Sequence, residues 1–170
     1  MTPRTPYLQP TLGGTFKNVA VVRWLRLLGV SSVVVGSLFI AQSAQAGTRA
    51  ETLQSINWVE NPSNSPRPGR CGELGAYQFR ESTWAMHTKK PFASATNQRV
   101  SDEVAILHFE WLKNTLVQAG LEPSTYNIAL AWNAGVNAVI KGRAPAVAHN
   151  YAMRVNNLAT DMGSQQLAAN

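Results

Sequence analysis

Two carboxylates flank a loop rich in proline and glycine, ENPSNSPRPGRCGELGAYQF, which runs from Glu60 to Phe79. Glu60 follows the apolar segment INWV and lies two residues before Pro62, so we expect it to end a helix. The helix dipole places partial negative charge there, and an apolar setting with Trp58 nearby disfavours the ionised carboxylate. A carboxyl that keeps its proton at working pH suits a general acid. A plain helix-end residue is the alternative.

The remaining acidic residues have simpler explanations, except for Glu73. Glu51 is at capping-box spacing from Thr48, and Asp102 and Glu103 follow a candidate N-cap serine. These assignments leave Glu60 and Glu73 without a structural role that the sequence explains. Glu73 is a candidate second carboxylate, with a solvated loop residue as the alternative.

Other catalytic patterns are absent from the sequence. His87, His108 and His149 are far apart and form no H-x-x-x-H pair, so we expect ordinary structural histidines. The single cysteine, Cys71, excludes an internal disulfide and a thiolate metal cluster, and we expect it to be a half-buried loop residue. There is no G-x-S-x-G, P-loop or G-x-G-x-x-G pattern. We therefore expect no metal and no cofactor.

The elements that must position these residues are helical. Apolar residues recur at helical spacing in several segments, and no long stretch alternates with the period of two that is typical of strands. The sequence predicts an all-α class, with a small irregular or β-like loop element near residues 69–79. The predicted helices are one ending at Glu60, a short one in RESTWAMHTKK, one from an N-cap at Ser101 to Gly120, a buried one after Ser124, and a last one from Pro145 with a frayed tail SQQLAAN.

The N-terminal 46 residues have the pattern of a signal peptide. Basic residues precede an apolar run, LLGVSSVVVGSLFIA, and AQA ends the segment as a cleavage site. We therefore predict export to the periplasm or beyond, and one domain over residues 47–170. Four of the 15 Lys and Arg lie in the predicted signal, so 11 basic residues oppose 9 acidic ones in the remainder. The resulting charge of +2 includes no dense basic cluster, and we expect no nucleic-acid partner.

Three motifs, in order, resemble the lytic transglycosylases, whose fold is like that of goose lysozyme. VENPSNSPRPGRCGELGAYQF is similar to the family segment in which a glutamate ends a helix and G-x-x-G-hydrophobic-x-Gln closes the site. ALAWNAGVNAV resembles A-L-A-x-Y-N-A-G-x-x-x-V, and NYAMRV resembles the closing Tyr-Val-x-x-Val helix. The chain departs from the pattern at Asn61, where the family has Ser, at Ala76-Tyr77, and at Trp132.

The resemblance implies a role for each matching residue. Glu60 is the implied single general acid and base, and Tyr151 is placed near the acetamido group of the sugar. Gln78 and Asn133 are implied substrate-binding residues, with a loop amide and a helix-capping amide as their alternatives. Tyr77 is a candidate for stacking on a sugar ring, with a place in the core as its alternative.

The implied function is cleavage of the MurNAc–GlcNAc bond of peptidoglycan without water, which leaves a 1,6-anhydro end. Three alternatives stay open: a hydrolytic lysozyme on the same scaffold, a non-catalytic glycan-binding or assembly protein, and an enzyme that acts on chitin or another N-acetylated glycan. The glycan strand is the implied partner, and small family members often serve secretion systems or pili. The sequence does not determine the oligomeric state.

Overall fold

A computed structural model describes residues 48–169, and in that range the chain is built from helices. No strand occurs within these residues, where the β-like element consists of one antiparallel bridge between Leu74 and Phe79. The predicted all-α class and its small β-like element are therefore confirmed. The predicted signal peptide, residues 1–46, lies outside the described residues. The helices are α1 (Arg49–Glu60), α2 (Glu81–His87), α3 (Gln98–Gln118), α4 (Thr125–Ala134), α5 (Val136–Ile140) and α6 (Ala146–Ala168), with a 3₁₀ helix at Phe92–Thr96.

Both ends of α1 are where the sequence predicts them. The side chain of Thr48 accepts a hydrogen bond from the backbone N–H of Glu51, and Glu51 accepts one from the backbone of Thr48, which completes a capping box. The helix ends at Glu60, because Pro62 disfavours helical geometry at Asn61. Glu60 is thereby fixed at the last helical position, directly before the loop.

The predicted start of α3 is wrong. Asn97 is the N-cap, and its side chain accepts a hydrogen bond from the backbone N–H of Val100. Ser101 is instead fully buried inside the helix. Asp102 and Glu103 therefore lie one turn further into the helix than predicted, where they pair with Tyr77 and Lys90 respectively. Both asparagine and serine are good N-caps, so burial of Ser101 decided between them.

Helix α4 is the central helix of the core, as its apolar character predicts. It packs against α6, α5, α3 and α1, and Ile128 and Ala129 are fully buried. Ser124 caps it by accepting a hydrogen bond from the backbone N–H of Asn127. Gly135 ends it with φ of 83°, a conformation that glycine adopts without strain, and α5 begins at once. The last turn of α4 is thereby held at the edge of the core.

Helix α6 is longer than the sequence predicts. It continues to Ala168 through the tail that was expected to fray. No proline follows Pro145, and the tail contains Ala, Leu and Gln, which are good helix formers. Within residues 48–169, none of the helices combines the length and the apolar character needed to span a bilayer.

Candidate active site

The loop after Glu60 is held by buried hydrogen bonds of its own residues. Asn61 is buried, and its side-chain amide donates to the backbone carbonyls of Ser65 at 2.9 Å and Gly75 at 3.2 Å. Its side-chain oxygen accepts from the backbone N–H of Ser65 at 2.9 Å. The asparagine at this position thus joins both ends of the loop, and the loop returns to the end of α1.

This return creates a cleft of about 580 Å³ beside Glu60. One wall is the loop and the strand-like turn that follows it, and another is the end of α4. Its lining combines aromatic rings with charged and polar side chains. Fourteen residues line the cleft, and they are Glu60, Gly69, Arg70, Glu73, Gln78, Phe79, Arg80, Ser82, Thr83, His108, Trp132, Asn133, Ala134 and Gly135.

The carboxyl of Glu60 holds its proton more tightly than an ordinary glutamate. Burial raises its pKa, and the negative charge of Glu73 raises it further. The hydroxyl of Tyr151 and the positive charge of Arg154 act in the opposite direction, but burial is the largest effect. The result is a carboxyl with a raised pKa at the edge of an open cleft.

Tyr151 provides the partner of this carboxyl. It lies on α6, is 8 % exposed, and its pKa is raised well above the ordinary value by burial and by the nearby Glu60. Its hydroxyl makes no hydrogen bond of standard geometry with any residue from 48 to 169, although the two groups are close enough to interact. Catalytic hydrogen bonds are often long in free enzymes and tighten when substrate binds. The phenol is therefore available to donate to an ionised Glu60.

The second carboxylate, Glu73, lies in the same cleft but in a different electrostatic state. Its Oε2 accepts a hydrogen bond from the backbone N–H of Cys71 at 2.9 Å, and Arg80 lies 3.7 Å from its Oε1. The hydrogen bond from the Cys71 backbone is the largest of the effects that lower its pKa. The cleft thus contains one carboxyl whose pKa is raised and one whose pKa is lowered.

These neighbours predict opposite shifts of the pH profile. If Glu60 must be protonated, activity falls as pH rises through its raised pKa. Glu73→Gln removes a negative neighbour, so the descending limb of kcat/KM should move to lower pH. Arg154→Gln removes a positive neighbour, so the limb should move to higher pH. Wall-clearing rates measured across pH for both variants test the prediction, and shifts in the same direction for both would contradict it.

The structure brings together most of the residues that the sequence singles out. Glu60, Gln78 and Asn133 line the cleft, and Tyr151 is adjacent to Glu60. Gln78 has a φ of 46°, and its side-chain amide donates to the carbonyl of Gly75 at 3.0 Å, so the amide is held against the loop. Asn133 is exposed in the last turn of α4.

The structure places Tyr77, Trp58 and Cys71 differently from what the sequence predicts. Tyr77 is 6 % exposed, donates from its hydroxyl to Asp102 at 2.9 Å, and is not among the residues that line the cleft. The structure therefore gives it the alternative role, a place in the core. Trp58 is 56 % exposed and does not line the cleft, so it is not the source of the dry setting of Glu60. Cys71 is exposed rather than half-buried.

Sequence reasoning missed several residues of the cleft. His108 was expected to be an ordinary histidine, and Trp132 was noted only as a departure from a motif, yet both line the cleft. Arg70 and Arg80 line it as well. A signal existed for His108, because it lies on the apolar stripe of α3 between Val104 and Leu112. No local pattern identifies the two arginines.

Neither a metal site within the described residues nor a similar protein helps to assign a function to this cleft. Among residues 48–169, no three His, Cys, Asp or Glu side chains are arranged to hold a metal ion. No family model matches the chain, and comparison with curated proteins and with solved structures gave no match. The case for a function therefore rests on the geometry of the cleft and on the sequence motifs.

Proposed function

We propose that this protein is an exported lytic transglycosylase with a lysozyme-like fold, which cleaves the MurNAc–GlcNAc bond of peptidoglycan. The observation that carries the proposal is a half-buried Glu60, with a raised pKa, that lies beside the Tyr151 hydroxyl at the edge of a polar cleft. A dry carboxyl beside a hydroxyl donor suits a single group that acts first as acid and then as base.

Glu60 donates its proton to the glycosidic oxygen as the bond from that oxygen to C1 of the MurNAc ring breaks. Positive charge then develops on the ring, and the acetamido group of the substrate stabilises it. The carboxylate of Glu60, stabilised by the Tyr151 hydroxyl, takes the proton of the 6-hydroxyl as O6 bonds to C1. The product is a 1,6-anhydro ring, no water is consumed, and Glu60 ends the cycle protonated.

The position of Glu73 supports hydrolysis as a second candidate. An ionised carboxylate in the cleft can activate a water molecule, as the second carboxylate of ordinary glycosidases does. Its oxygens already face the Cys71 backbone and Arg80, which makes it a weaker base and favours a supporting role. We therefore place the anhydro reaction first.

Digestion of purified peptidoglycan, with mass analysis of the released ends, tests the two reactions. We expect ends that are lighter by one water than the hydrolysed product, and the same ends from Glu73→Gln. Hydrolysed ends that disappear in Glu73→Gln would establish the hydrolytic reaction instead. Binding to the wall without any new ends would identify a glycan-binding or assembly protein.

The biological setting follows from the predicted signal. Export to the periplasm or outside the cell would bring the enzyme to its polymer, and local opening of the wall would serve a secretion or pilus machine. Loss of the signal, residues 1–46, should keep the protein in the cytoplasm, which fractionation of cells would measure.

A further inference from the structure

His108 is a buried polar side chain that lines the cleft and that the mechanism above does not use. It is 6 % exposed and lies on α3, a different element from the loop that contributes the largest share of the lining. Its ring meets Trp132 edge to face at 4.7 Å between centroids and stacks on Trp111 at 5.5 Å. A histidine packed this way has a fixed ring position, so its free nitrogen is presented at a fixed point.

A second histidine, His87, forms a hydrogen bond with one of the two ring nitrogens of His108. His108 Nδ1 lies 2.9 Å from His87 Nε2, which fits one shared proton. No other hydrogen bond of the His108 ring occurs among residues 48–169. With Nδ1 engaged, Nε2 is the polar atom left to meet a ligand in the cleft.

The contact between the two rings limits the forms in which His108 can meet a ligand. Burial is the main effect that lowers the pKa of His108 to about 3, with a contribution from His87, so the ring is neutral and carries one proton. If His87 donates, His108 accepts at Nδ1 and carries its proton on Nε2. Burial also lowers the pKa of His87, and a neutral His87 fits this contact either as donor or as acceptor. The form in which His87 donates is the one that leaves an N–H on Nε2 of His108 for a ligand. The pair is faced by the rings of Phe79, Trp111 and Trp132, and the charged groups lining the same cleft are Glu60, Glu73, Arg70 and Arg80.

We propose that His108 is a substrate-binding residue that donates a hydrogen bond from Nε2 to an acceptor oxygen of an N-acetylated sugar, and that His87 is the positioning residue that holds it in this form. The inference rests on the proposed function and names a contact of the same cleft. A neutral donor in a rigid aromatic setting selects an uncharged acceptor, such as an amide carbonyl or a sugar hydroxyl, over a water-solvated ion.

The three histidines of the chain allow a direct test. The Glu60→Gln protein, labelled with ¹⁵N in its histidine rings, is titrated with the trimer of β-1,4-linked N-acetylglucosamine, and binding is followed in parallel by calorimetry. We expect a protonated Nε2 in His108 whose signal shifts with the sugar. His149, bonded through Nδ1 to the Tyr126 hydroxyl at 2.7 Å and outside the cleft lining, should not shift and is the internal control.

Two variants separate binding from structure. His108→Leu should weaken trimer binding by about three- to tenfold, the effect of one neutral hydrogen bond, and His108→Gln should restore most of it. His87→Phe keeps a ring against Trp111 but removes the nitrogen, so the ¹⁵N signals of His108 should change and affinity should fall.

The outcomes distinguish this inference from the function on which it rests. If calorimetry shows that the trimer binds but the His108 signals do not shift, the inference is wrong and the proposed function stands. The same holds if Nε2 of His108 is found unprotonated. An unchanged His108 spectrum in His87→Phe overturns the positioning role. Absence of binding to both the trimer and purified peptidoglycan overturns the function and the inference together.

Discussion

Replacing Glu60 by glutamine should lower peptidoglycan turnover by about 10²–10⁴-fold, the contribution typical of a general acid and base. Glutamine preserves the size of the side chain and its place at the end of α1, but its amide is too weak an acid to transfer a proton to the leaving oxygen. The effect should be on kcat, because the substrate still enters the same cleft. Steady-state rates of wall clearing measure it.

The same variant should change how stability depends on pH. The pKa of Glu60 is raised in the folded state, so the native protein binds its proton more tightly than the unfolded chain does. This contribution is fully present below the unfolded pKa and is lost as pH rises through the folded pKa. The Tm of the wild type should therefore fall relative to that of Glu60→Gln as pH rises through this window.

Glu110→Gln is the matched control for Glu60→Gln. Glu110 is a partly exposed carboxylate on α3 that pairs with Arg49, and it does not line the cleft. Loss of the Glu110 carboxylate should leave turnover unchanged. It should also change stability little, because exposed ion pairs contribute little to stability. Full wall clearing by Glu60→Gln would show that another group is the acid.

Replacing Gly75 by alanine should cause the largest loss of stability, about 3–5 kcal/mol from steric overlap and backbone strain combined. Gly75 has a φ of 78°, and a Cβ there would lie 1.8 Å from the backbone oxygen of Ala95. Relief requires the loop to move away from the 3₁₀ helix. The carbonyl of Gly75 accepts from the side chains of Asn61 and Gln78, so this movement also disturbs the wall of the cleft.

Gly72→Ala is the control that separates strain from overlap. Gly72 has a φ of 82°, but no atom lies within 4 Å of a Cβ placed there. Its replacement should cost only the strain of a left-handed alanine, about 1–2 kcal/mol. Denaturant midpoints of the two variants give the comparison, and equal losses would contradict the tight contact at Gly75.

Local features of the fold could be predicted from the sequence because they depend on neighbours within one or two turns. The capping box at Thr48 and the proline after Glu60 fixed both ends of α1, and Ser124 began α4. The errors arose where two local signals compete. Asn97 and Ser101 are both good caps, and only packing placed Ser101 inside the helix.

The same distinction between local and tertiary causes applies to the residues of the site. The sequence by itself determined that a glutamate ends an apolar helix and that a loop rich in proline and glycine follows it, since both are properties of one continuous segment. Tertiary structure alone decided that Tyr151 meets that carboxyl, that Tyr77 enters the core, and that His108 reaches the cleft. The physical reason is that the pKa of Glu60 and the shape of the cleft depend on segments that are distant in the sequence. Helices α3, α4 and α6 exclude water from the site only when they are packed together.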